Sequence, residues 1–325
     1  MDYPFKNLVF KGGGVQGVAY AGAVEVLDEE QILQNIEQVA GTSAGAIASL
    51  LLALRYTPAQ LKQIMIDLDF SRFTSRAEPL RFQEKYGWHS TKPVREWLEE
   101  QIRLSRAKGE LSGQETFEDL KELGCRNLVV FATDLNRRDI VEFSEKETPR
   151  VKVVEAVLAS LSIPAYFQSF QFTDNIPDDH IYVDGGALNN YPITAFDIVI
   201  KKDSHKELRA NPETLGFHLE IPGHELPPVE LGFGNFSKWA QQLYETVKNV
   251  QSSMLFALPE HVKRTVFIDT GTVSPVDFNL TLEQKNWLID SGRHGTQAHL
   301  RMYRYRNSFR SRVIRRFMRI RKTRN

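Results

Sequence analysis

The stretch LVFKGGGVQGVAYAGAV, residues 8–24, decides the fold of this chain near its beginning. An apolar run over residues 7–10 predicts a buried strand, and apolar residues recur at helical spacing over residues 15–30. Between them stand Gly12, Gly14 and Gly17 in the spacing G-x-G-x-x-G. A strand, a glycine turn and a helix in this order favour an α/β sheet whose glycine turn binds negative charge.

The same alternation of short β-rich runs and helical patterns continues along the chain and predicts a central sheet flanked by helices. Further strands are expected at residues 36–41, 127–135, 139–144, 168–172, 181–186, 215–220 and 265–271. Helices are expected at residues 43–54, from Thr57-Pro58 onward, around Trp97, and at residues 116–124, 150–162 and about 236–257. Residues 221–235 are rich in proline and glycine and are expected to form a loop.

The composition is that of an ordinary globular protein, with 42% hydrophobic and 25% charged residues in a chain of 325. Without an internal repeat or a low-complexity linker, we expect one domain over residues 1–305 and a C-terminal extension over residues 306–325. No apolar run reaches the roughly 18 residues of a membrane-spanning helix, and the N-terminus lacks a signal-peptide pattern. The single cysteine, Cys125, excludes an internal disulfide and fits a reducing compartment.

One candidate ligand for the glycine turn is the pyrophosphate of a dinucleotide. That interpretation requires an acidic residue at the end of the second strand, where it would bind the ribose hydroxyls. The second predicted strand instead ends in AGTSAG, and Glu37 precedes its apolar core. The sequence therefore disfavours a dinucleotide site.

The residues GTSAG, 41–45, have the pattern G-x-S-x-G of a nucleophile on a sharp turn between a strand and a helix. The flanking glycines allow a tight turn, and the positive end of the following helix favours an oxyanion near Ser43. Acyl transfer through a serine also needs backbone N–H groups aimed at that oxyanion, and the GGGVQG loop can supply them. The alternative is that Ser43 only caps the following helix.

A serine nucleophile needs a base, and the best candidate is Asp184 in YVDGG, at the end of a β-rich run. A carboxylate that touches the serine hydroxyl can accept its proton when a dry site raises the carboxyl pKa. The simpler alternative is an ordinary Asp-Gly-Gly turn. The histidines downstream of Ser43 stand in no catalytic motif, and we interpret them as surface or core residues.

Taken in this order, KGGGVQG (11–17), GTSAG (41–45) and DGG (184–186) resemble the motifs of the patatin-like phospholipase family. LASLSIPAYF (158–167) and ALNNYP (187–192) match the same family, and the resemblance covers roughly residues 7–200. It implies a central, mostly parallel sheet flanked by helices. It also implies hydrolysis of phospholipid or other lipid esters, of the phospholipase A type, without a metal or another cofactor.

Carried onto this chain, the resemblance implies a Ser43–Asp184 dyad that works through an acyl-enzyme. The backbone of Gly12, Gly13 and Gly14 would form the oxyanion hole. Many family members have an acidic residue before the glycine loop, where this chain has Lys11, and its FKGGGV form is closer to the bacterial branch. Two alternatives stay open. One is an acyltransferase with the same dyad, and the other is a non-catalytic membrane- or nucleic-acid-binding protein with a degenerate hydrolase core.

The C-terminal residues 301–325 carry eleven lysines or arginines and no acid, which leaves 30 bases against 41 acids in the rest of the chain. Phe309, Val313, Phe317 and Ile320 share one face of a predicted helix, a pattern typical of binding to an anionic membrane surface. The predicted membrane-binding residues are Arg310, Arg312, Arg315, Arg316, Phe317 and Arg319.

One alternative for this tail is that it folds back onto the acidic body of the protein. Binding to nucleic acid is disfavoured, because no nucleic-acid module accompanies the basic cluster. The sequence therefore predicts a cytoplasmic protein that associates peripherally with membranes. Export as an effector, by a route that needs no cleavable signal, is left open.

Overall fold

The structure is a computed structural model that describes residues 3–74, 79–105, 110–172, 176, 179–202, 205–221, 229, 231 and 236–308. Most of the predicted loop over residues 221–235 lies outside these ranges. The residues predicted to bind membranes also lie outside them: Arg310, Arg312, Arg315, Arg316, Phe317 and Arg319.

Strands in the described residues form one large sheet and two small ones. The strands are β1 (Asn7–Phe10), β2 (Gln38–Thr42), β3 (Gly87–His89), β4 (Asn127–Asp134), β5 (Asp139–Ser144), β6 (Ala165–Phe167), β7 (Tyr182–Asp184), β8 (Ile198–Lys202), β9 (His205–Arg209), β10 (Thr214–Glu220) and β11 (Thr265–Asp269). The central sheet has the order β11-β10-β1-β2-β4-β5, and β7 also pairs with β4. The first five of these strands run parallel, whereas β5 and β7 are antiparallel to β4. This confirms the predicted mostly parallel sheet.

Helices cover both faces of the sheet. The α-helices are α1 (Ala19–Glu29), α2 (Ala44–Ala53), α3 (Pro58–Asp67), α4 (Pro79–Lys85), α5 (Lys92–Leu104), α6 (Phe117–Glu122), α7 (Val153–Leu161), α8 (Gly186–Asn189), α9 (Phe236–Phe256), α10 (Pro259–Lys263) and α11 (Leu282–Asn307). Of the helices in the described ranges, none is long and apolar enough to cross a membrane.

The strand β1 shows why both faces need a cover. Its side chains alternate, so that Leu8 and Phe10 join the larger apolar core, whereas Val9 joins a smaller core on the opposite face. In the smaller core, Val9 packs in a cluster with Phe131 of β4 and Tyr191, with Phe256 of α9 against it. A strand that is buried on both faces reads as a continuous apolar run, as NLVF does.

Helices α1 and α11 cross at backbone distance. A Cβ atom at Gly22 would overlap with the Ile289 carbonyl oxygen, and one at Gly292 would overlap with the Ala19 carbonyl oxygen. Next to this crossing, the Arg293 guanidinium pairs with two glutamates of α1. Two small residues therefore let a C-terminal helix lie directly on the first helix of the chain.

Strands β2 and β7 meet end to end along one edge of β4. Strand β5 occupies the other edge, so β2 and β7 share the remaining one. The last pair of β2 joins Thr42 to Phe131, and the next position of β4, Ala132, pairs with Asp184 of β7. Because β7 runs against β2, the residue that follows Thr42 and the carboxylate that ends β7 lie next to each other.

The predicted helix starts at Thr57 and Thr116 are both present. Each threonine accepts a hydrogen bond from the backbone N–H three residues on, in a capping box with Gln60 and Asp119 respectively. The helix expected over residues 15–30 begins with a 3-10 turn over Gly14–Val18 before α1.

The prediction of a strand over residues 168–172 is wrong. Only Phe170 pairs there, in an isolated bridge to Tyr182, and the nearby strand β6 lies earlier in the chain. Phe170 and Phe172 alternate because both rings pack in an aromatic cluster with Phe143 and Tyr182. The period of two therefore comes from side-chain packing on an irregular segment and not from a strand.

Candidate active site

Ser43 occupies a sharp turn between β2 and α2. Its φ of 54° and ψ of −124° lie in a region that side-chain-bearing residues rarely adopt, at a cost of about 1–3 kcal/mol. A Cβ atom at Gly41 would overlap with the Gly45 carbonyl oxygen, and one at Gly45 would overlap with the Phe10 carbonyl oxygen. The two glycines of GTSAG thus allow the turn to close against β1, and the strain falls on the serine between them.

A hydrogen bond to Ser160 of α7 anchors this turn. The Ser43 N–H donates a hydrogen bond of 2.9 Å to Ser160 Oγ, and that hydroxyl donates one of 2.6 Å to the Phe131 carbonyl. Ser160 is fully buried in α7. It belongs to the LASLSIPAYF segment, which the family resemblance includes without assigning Ser160 a role.

Asp184 ends β7 and is completely buried. Its Oδ1 accepts a 2.7 Å hydrogen bond from the Gly186 N–H, while its buried Oδ2 has no hydrogen bond of good geometry within the described residues. Burial raises the pKa of Asp184 above its ordinary value, and the nearby Ser43 hydroxyl, Gly186 N–H and Tyr244 hydroxyl oppose the rise. The carboxyl group is therefore a stronger proton acceptor than an exposed aspartate, and the Ser43 and Tyr244 hydroxyls lie beside it.

The glycine loop lies against the serine. A Cβ atom at Gly12 would come within 3.2 Å of Ser43 Cβ, so only glycine lets the loop approach this closely. The Gly12 N–H donates a 2.9 Å hydrogen bond to the Asn190 carbonyl. In the described part of the chain, the N–H groups of Gly13 and Gly14 have no acceptor. Of the three predicted oxyanion-hole residues, these two have donors available for a ligand.

Helix α9 secures the segment that follows Asp184. Gln251 accepts a 2.9 Å hydrogen bond from the Asn190 N–H and donates to the carbonyls of Gly186 and Ala187, at 3.1 and 3.0 Å. Tyr244, two turns earlier on α9, lies against the Asp184 carboxyl group. The helix itself was predicted, but nothing in its residue pattern singled out Tyr244 or Gln251 as parts of the site.

An apolar pocket of about 50 Å³ lies beside Ser43 and Gly14. Its walls include the side chains of Ile47, Phe73, Val94, Leu161, Phe167 and Phe278. Such a lining suits a hydrocarbon chain and offers water few partners.

A cleft of about 640 Å³ with both polar and apolar lining residues also borders the glycine loop, and Lys11, Gly12, Gly13 and Lys248 are among these residues. The Lys11 ammonium donates a 2.7 Å hydrogen bond to the Leu219 carbonyl. Burial, with the neighbouring Lys248 charge, lowers the pKa of Lys11 to about 7. The glycine loop thus borders an apolar pocket at Gly14 and a mixed cleft with two lysines at Gly12 and Gly13.

Metal-ligating side chains do not cluster in groups of three or more among the described residues. Two histidines of the described residues lie close to carboxylates other than Asp184. His180 Nδ1 lies 2.7 Å from Asp134 Oδ2. Asp134 is two positions after Ala132, the β4 residue that pairs with Asp184. His218 is buried and lies within 3.7 Å of Glu220.

The mostly parallel sheet thus carries a serine on a strained turn, a glycine loop and a buried carboxylate, in a fold flanked by helices. Residues 8–197 match the model of the patatin-like phospholipase family, and the chain belongs to that family. This confirms the resemblance drawn from its motifs.

Individual relatives extend the similarity beyond the matched segment. YqhO of Bacillus subtilis (strain 168) is 28% identical over 312 residues, which cover 91% of this chain and 98% of that protein. A probable lipid hydrolase, 463L of Invertebrate iridescent virus 6, is 29% identical over 205 residues, 62% of this chain and 66% of the relative. VipD from Legionella pneumophila has a similar fold, with a TM-score of 0.57 at 19% identity, covering 92% of this chain and 67% of VipD.

Proposed function

We propose that this protein is a lipid acyl hydrolase of the phospholipase A type. Ser43 attacks a carboxylic ester of a phospholipid or another lipid, and Asp184 accepts its proton. The observation that carries the proposal is the meeting of β2 and β7 along β4, which brings a serine on a strained turn beside a buried carboxylate. Membership of a lipase family and the apolar pocket at Ser43 support the same substrate class.

In the first half-reaction, Asp184 takes the Ser43 proton as Oγ bonds to the ester carbonyl carbon. The N–H groups of Gly13 and Gly14 stabilise the oxyanion of the tetrahedral intermediate, and Gly12 keeps the loop close to the serine. The intermediate then collapses, and the C–O bond to the alcohol breaks. The protonated Asp184 gives its proton to the departing alcohol, a lysolipid, and leaves the acyl group on Ser43.

In the second half-reaction, Asp184 takes a proton from water as the water oxygen attacks the acyl carbon. Collapse of the second intermediate returns this proton to Ser43 and releases the fatty acid. A base is most effective when its pKa lies near the working pH, so the burial that raises the pKa of Asp184 favours this role.

The orientation of the substrate follows from the two sides of the glycine loop. The acyl chain enters the apolar pocket beside Ser43, and the polar remainder of the lipid faces the cleft that holds Lys11 and Lys248. The strands β10 and β11 complete the sheet that the motif-bearing residues begin, which supports one catalytic domain over residues 1–305. We assign residues 306–325 to a tail that associates a cytoplasmic enzyme with anionic membranes.

The decisive experiment measures fatty-acid release from vesicles of phosphatidylcholine and phosphatidylserine with a chelator present. We expect Ser43→Ala to lower release by about 10⁴-fold or more, because the nucleophile is lost. The matched control is Ser49→Ala, which removes a buried hydroxyl of the following helix α2 that has no hydrogen-bond partner among the described residues.

Release by Ser43→Ala at more than trace level would overturn the assignment of the nucleophile. If neither the parent protein nor a variant releases fatty acid, labelling with a fluorophosphonate distinguishes a different ester substrate from a wrong mechanism. Labelling that requires Ser43 retains the hydrolase mechanism and points to another ester, whereas its absence contradicts the mechanism.

A further inference from the structure

Helix α9 carries a continuous apolar stripe on its exposed side. The six side chains of this α9 stripe follow one another at intervals of three or four residues, which places them along one face of the helix. Their exposed fractions are 58% for Phe236, 51% for Trp239, 51% for Leu243, 39% for Val247, 50% for Val250 and 71% for Met254. A soluble helix normally turns such a stripe toward a core.

The face of α9 that turns inward is a different one. Tyr244, Lys248 and Gln251 form the inner row. Tyr244 and Gln251 contact Asp184 and the segment that follows it, and the Lys248 ammonium lies 5.0 Å from the Tyr244 ring centroid. At about 100° per residue, the centre of the α9 stripe lies roughly a quarter turn around the helix from this row. The same helix therefore holds the candidate base and exposes an apolar surface beside the site.

The apolar surface extends past the end of α9. The Phe236 ring lies 5.7 Å from the Phe82 ring of α4, centroid to centroid, and Leu80 on α4 is 67% exposed. Helix α9 also borders β6, whose Phe167 lines the apolar pocket at Ser43. The patch thus lies at the edge of the site where an acyl chain would enter.

The size and character of the α9 stripe favour one kind of partner. Six side chains that are each about half exposed present on the order of 600 Å² of apolar surface, below the ~800 Å² per partner of a typical stable protein interface. The stripe itself contains no charged side chain, and Phe236 and Trp239 stand together at one end, as in helices that lie in the plane of a membrane.

We propose that the α9 stripe docks onto the surface of a lipid bilayer and brings the Ser43 pocket to its substrate. The proposal rests on the proposed lipid hydrolysis for the choice of partner. Docking by insertion of apolar side chains depends little on anionic lipid or on salt concentration. Electrostatic attraction of the basic tail to a membrane depends strongly on both. The two contributions can therefore be separated in one experiment.

The test uses the full-length Ser43→Ala protein, so that hydrolysis does not alter the vesicles, and vesicles of pure phosphatidylcholine in 0.5 M salt. We expect Leu243→Gln with Val250→Gln to weaken vesicle binding by about tenfold, because two inserted side chains lose apolar contact. The matched control, Leu104→Gln with Leu282→Gln, changes two side chains of 61% and 59% exposure elsewhere and should change binding less than twofold.

Equal binding by the two double variants would overturn the proposal, as would the absence of any binding to phosphatidylcholine by the parent protein. A dimer in sedimentation without lipid, lost only in the stripe variant, would show that the stripe is a protein interface and would also overturn it. Far-UV circular dichroism checks that both variants are folded.

Hydrolysis of a short, water-soluble ester by the same variants with Ser43 intact separates this proposal from the proposed function. We expect the stripe variant to keep the full rate on this ester and to lose rate only on vesicles. If no variant cleaves the soluble ester and the fluorophosphonate does not label Ser43, the hydrolase assignment fails, while the vesicle-binding comparison still decides the docking surface.

Discussion

The motif-bearing part of the chain, residues 7–200, and the part that follows contribute to one sheet in different ways. The first part supplies the proposed reacting groups on turns at strand ends, at Gly13, Ser43 and Asp184. The second part adds β10 and β11 and places α9 against the aspartate. The difference teaches that the reacting groups of this site have local sequence signatures, whereas the groups that position them do not.

The largest effect is expected from Asp184→Asn, which tests the first region directly. Loss of the base should lower fatty-acid release by about 10²–10⁴-fold. It should also stabilise the fold at pH 7. Burial raises the pKa of Asp184 in the folded protein above the ordinary value of 3.8. The contribution of Asp184 to the free energy of unfolding is therefore largest below pH 3.8 and is lost as the pH rises through the pKa of the folded protein. The gain in stability should therefore shrink as the pH falls toward 3.8, which urea denaturation at several pH values can measure.

Asp134→Asn is the matched control, since Asp134 also ends a strand and is completely buried. Burial would raise its pKa, but hydrogen bonds from the Arg137 N–H and from His180 outweigh this and lower it. Its charge therefore stabilises the fold above the ordinary pKa, and D134N should destabilise the protein at pH 7. Stability changes of the same sign in D184N and D134N would contradict the interpretation of Asp184 as a strained functional group.

The next largest effect is expected where the two regions touch at the crossing of α1 and α11. Gly292→Ala should lower the free energy of unfolding by about 3 kcal/mol, because the added methyl group overlaps with the Ala19 carbonyl oxygen. Helix propensity alone would favour alanine by about 1 kcal/mol. Asn286→Ala, at an exposed position of the same helix, should therefore be neutral or stabilising. Chemical denaturation measures both, and a stable G292A protein would show that the two helices can separate at little cost.

The smallest effect is expected from Tyr244→Phe. This variant removes a hydroxyl of the second region that lies against Asp184, the proposed base of the first region. The Tyr244 hydroxyl lowers the pKa of Asp184, so its loss should raise that pKa further. The acid limb of kcat/KM should then move to higher pH, with about a tenfold loss of rate near neutral pH. A pH profile on a water-soluble ester measures this shift.

Tyr56→Phe is the control for that profile. The Tyr56 hydroxyl donates a 2.7 Å hydrogen bond to the Gln101 carbonyl, away from the site. We expect its loss to leave the pH profile unchanged. Equal profiles for Y244F, Y56F and the parent protein would remove Tyr244 from the group of positioning residues.

Prediction from sequence succeeded for those strands, helix starts and motifs whose residue pattern lies within one short segment of the chain. The runs LVF of β1 and LVVFA of β4 are continuously apolar because both faces of their strands are buried, so these strands can be predicted from composition. The helix starts at Thr57 and Thr116 are readable because a cap and its partner lie three residues apart. The family assignment succeeded for the same reason, since three short motifs in the right order suffice for it.

Prediction failed where the signal lies in contacts between distant segments. Helix α11 has few apolar residues, and it buries Lys285, Gly292 and Thr296 along with leucine and isoleucine, so its pattern does not stand out. The hairpin of β8 and β9 was not predicted either, and its exposed Val199 and Leu208 show no alternation toward a core. The role of Ser160 needed the pairing of α7 with the serine turn.

The sequence alone determined the α/β class and the family, and it supplied the residues proposed for the chemistry, because each of these is encoded in a short run of neighbouring residues. Only the tertiary structure decided that Ser43 and Asp184 meet, since 141 positions separate them and β4 alone brings their strands together. It also decided that α9 turns Tyr244 and Gln251 inward and leaves an apolar stripe outside. A helix's residue pattern records which positions are apolar, and the fold determines which face meets the protein and which meets the surroundings.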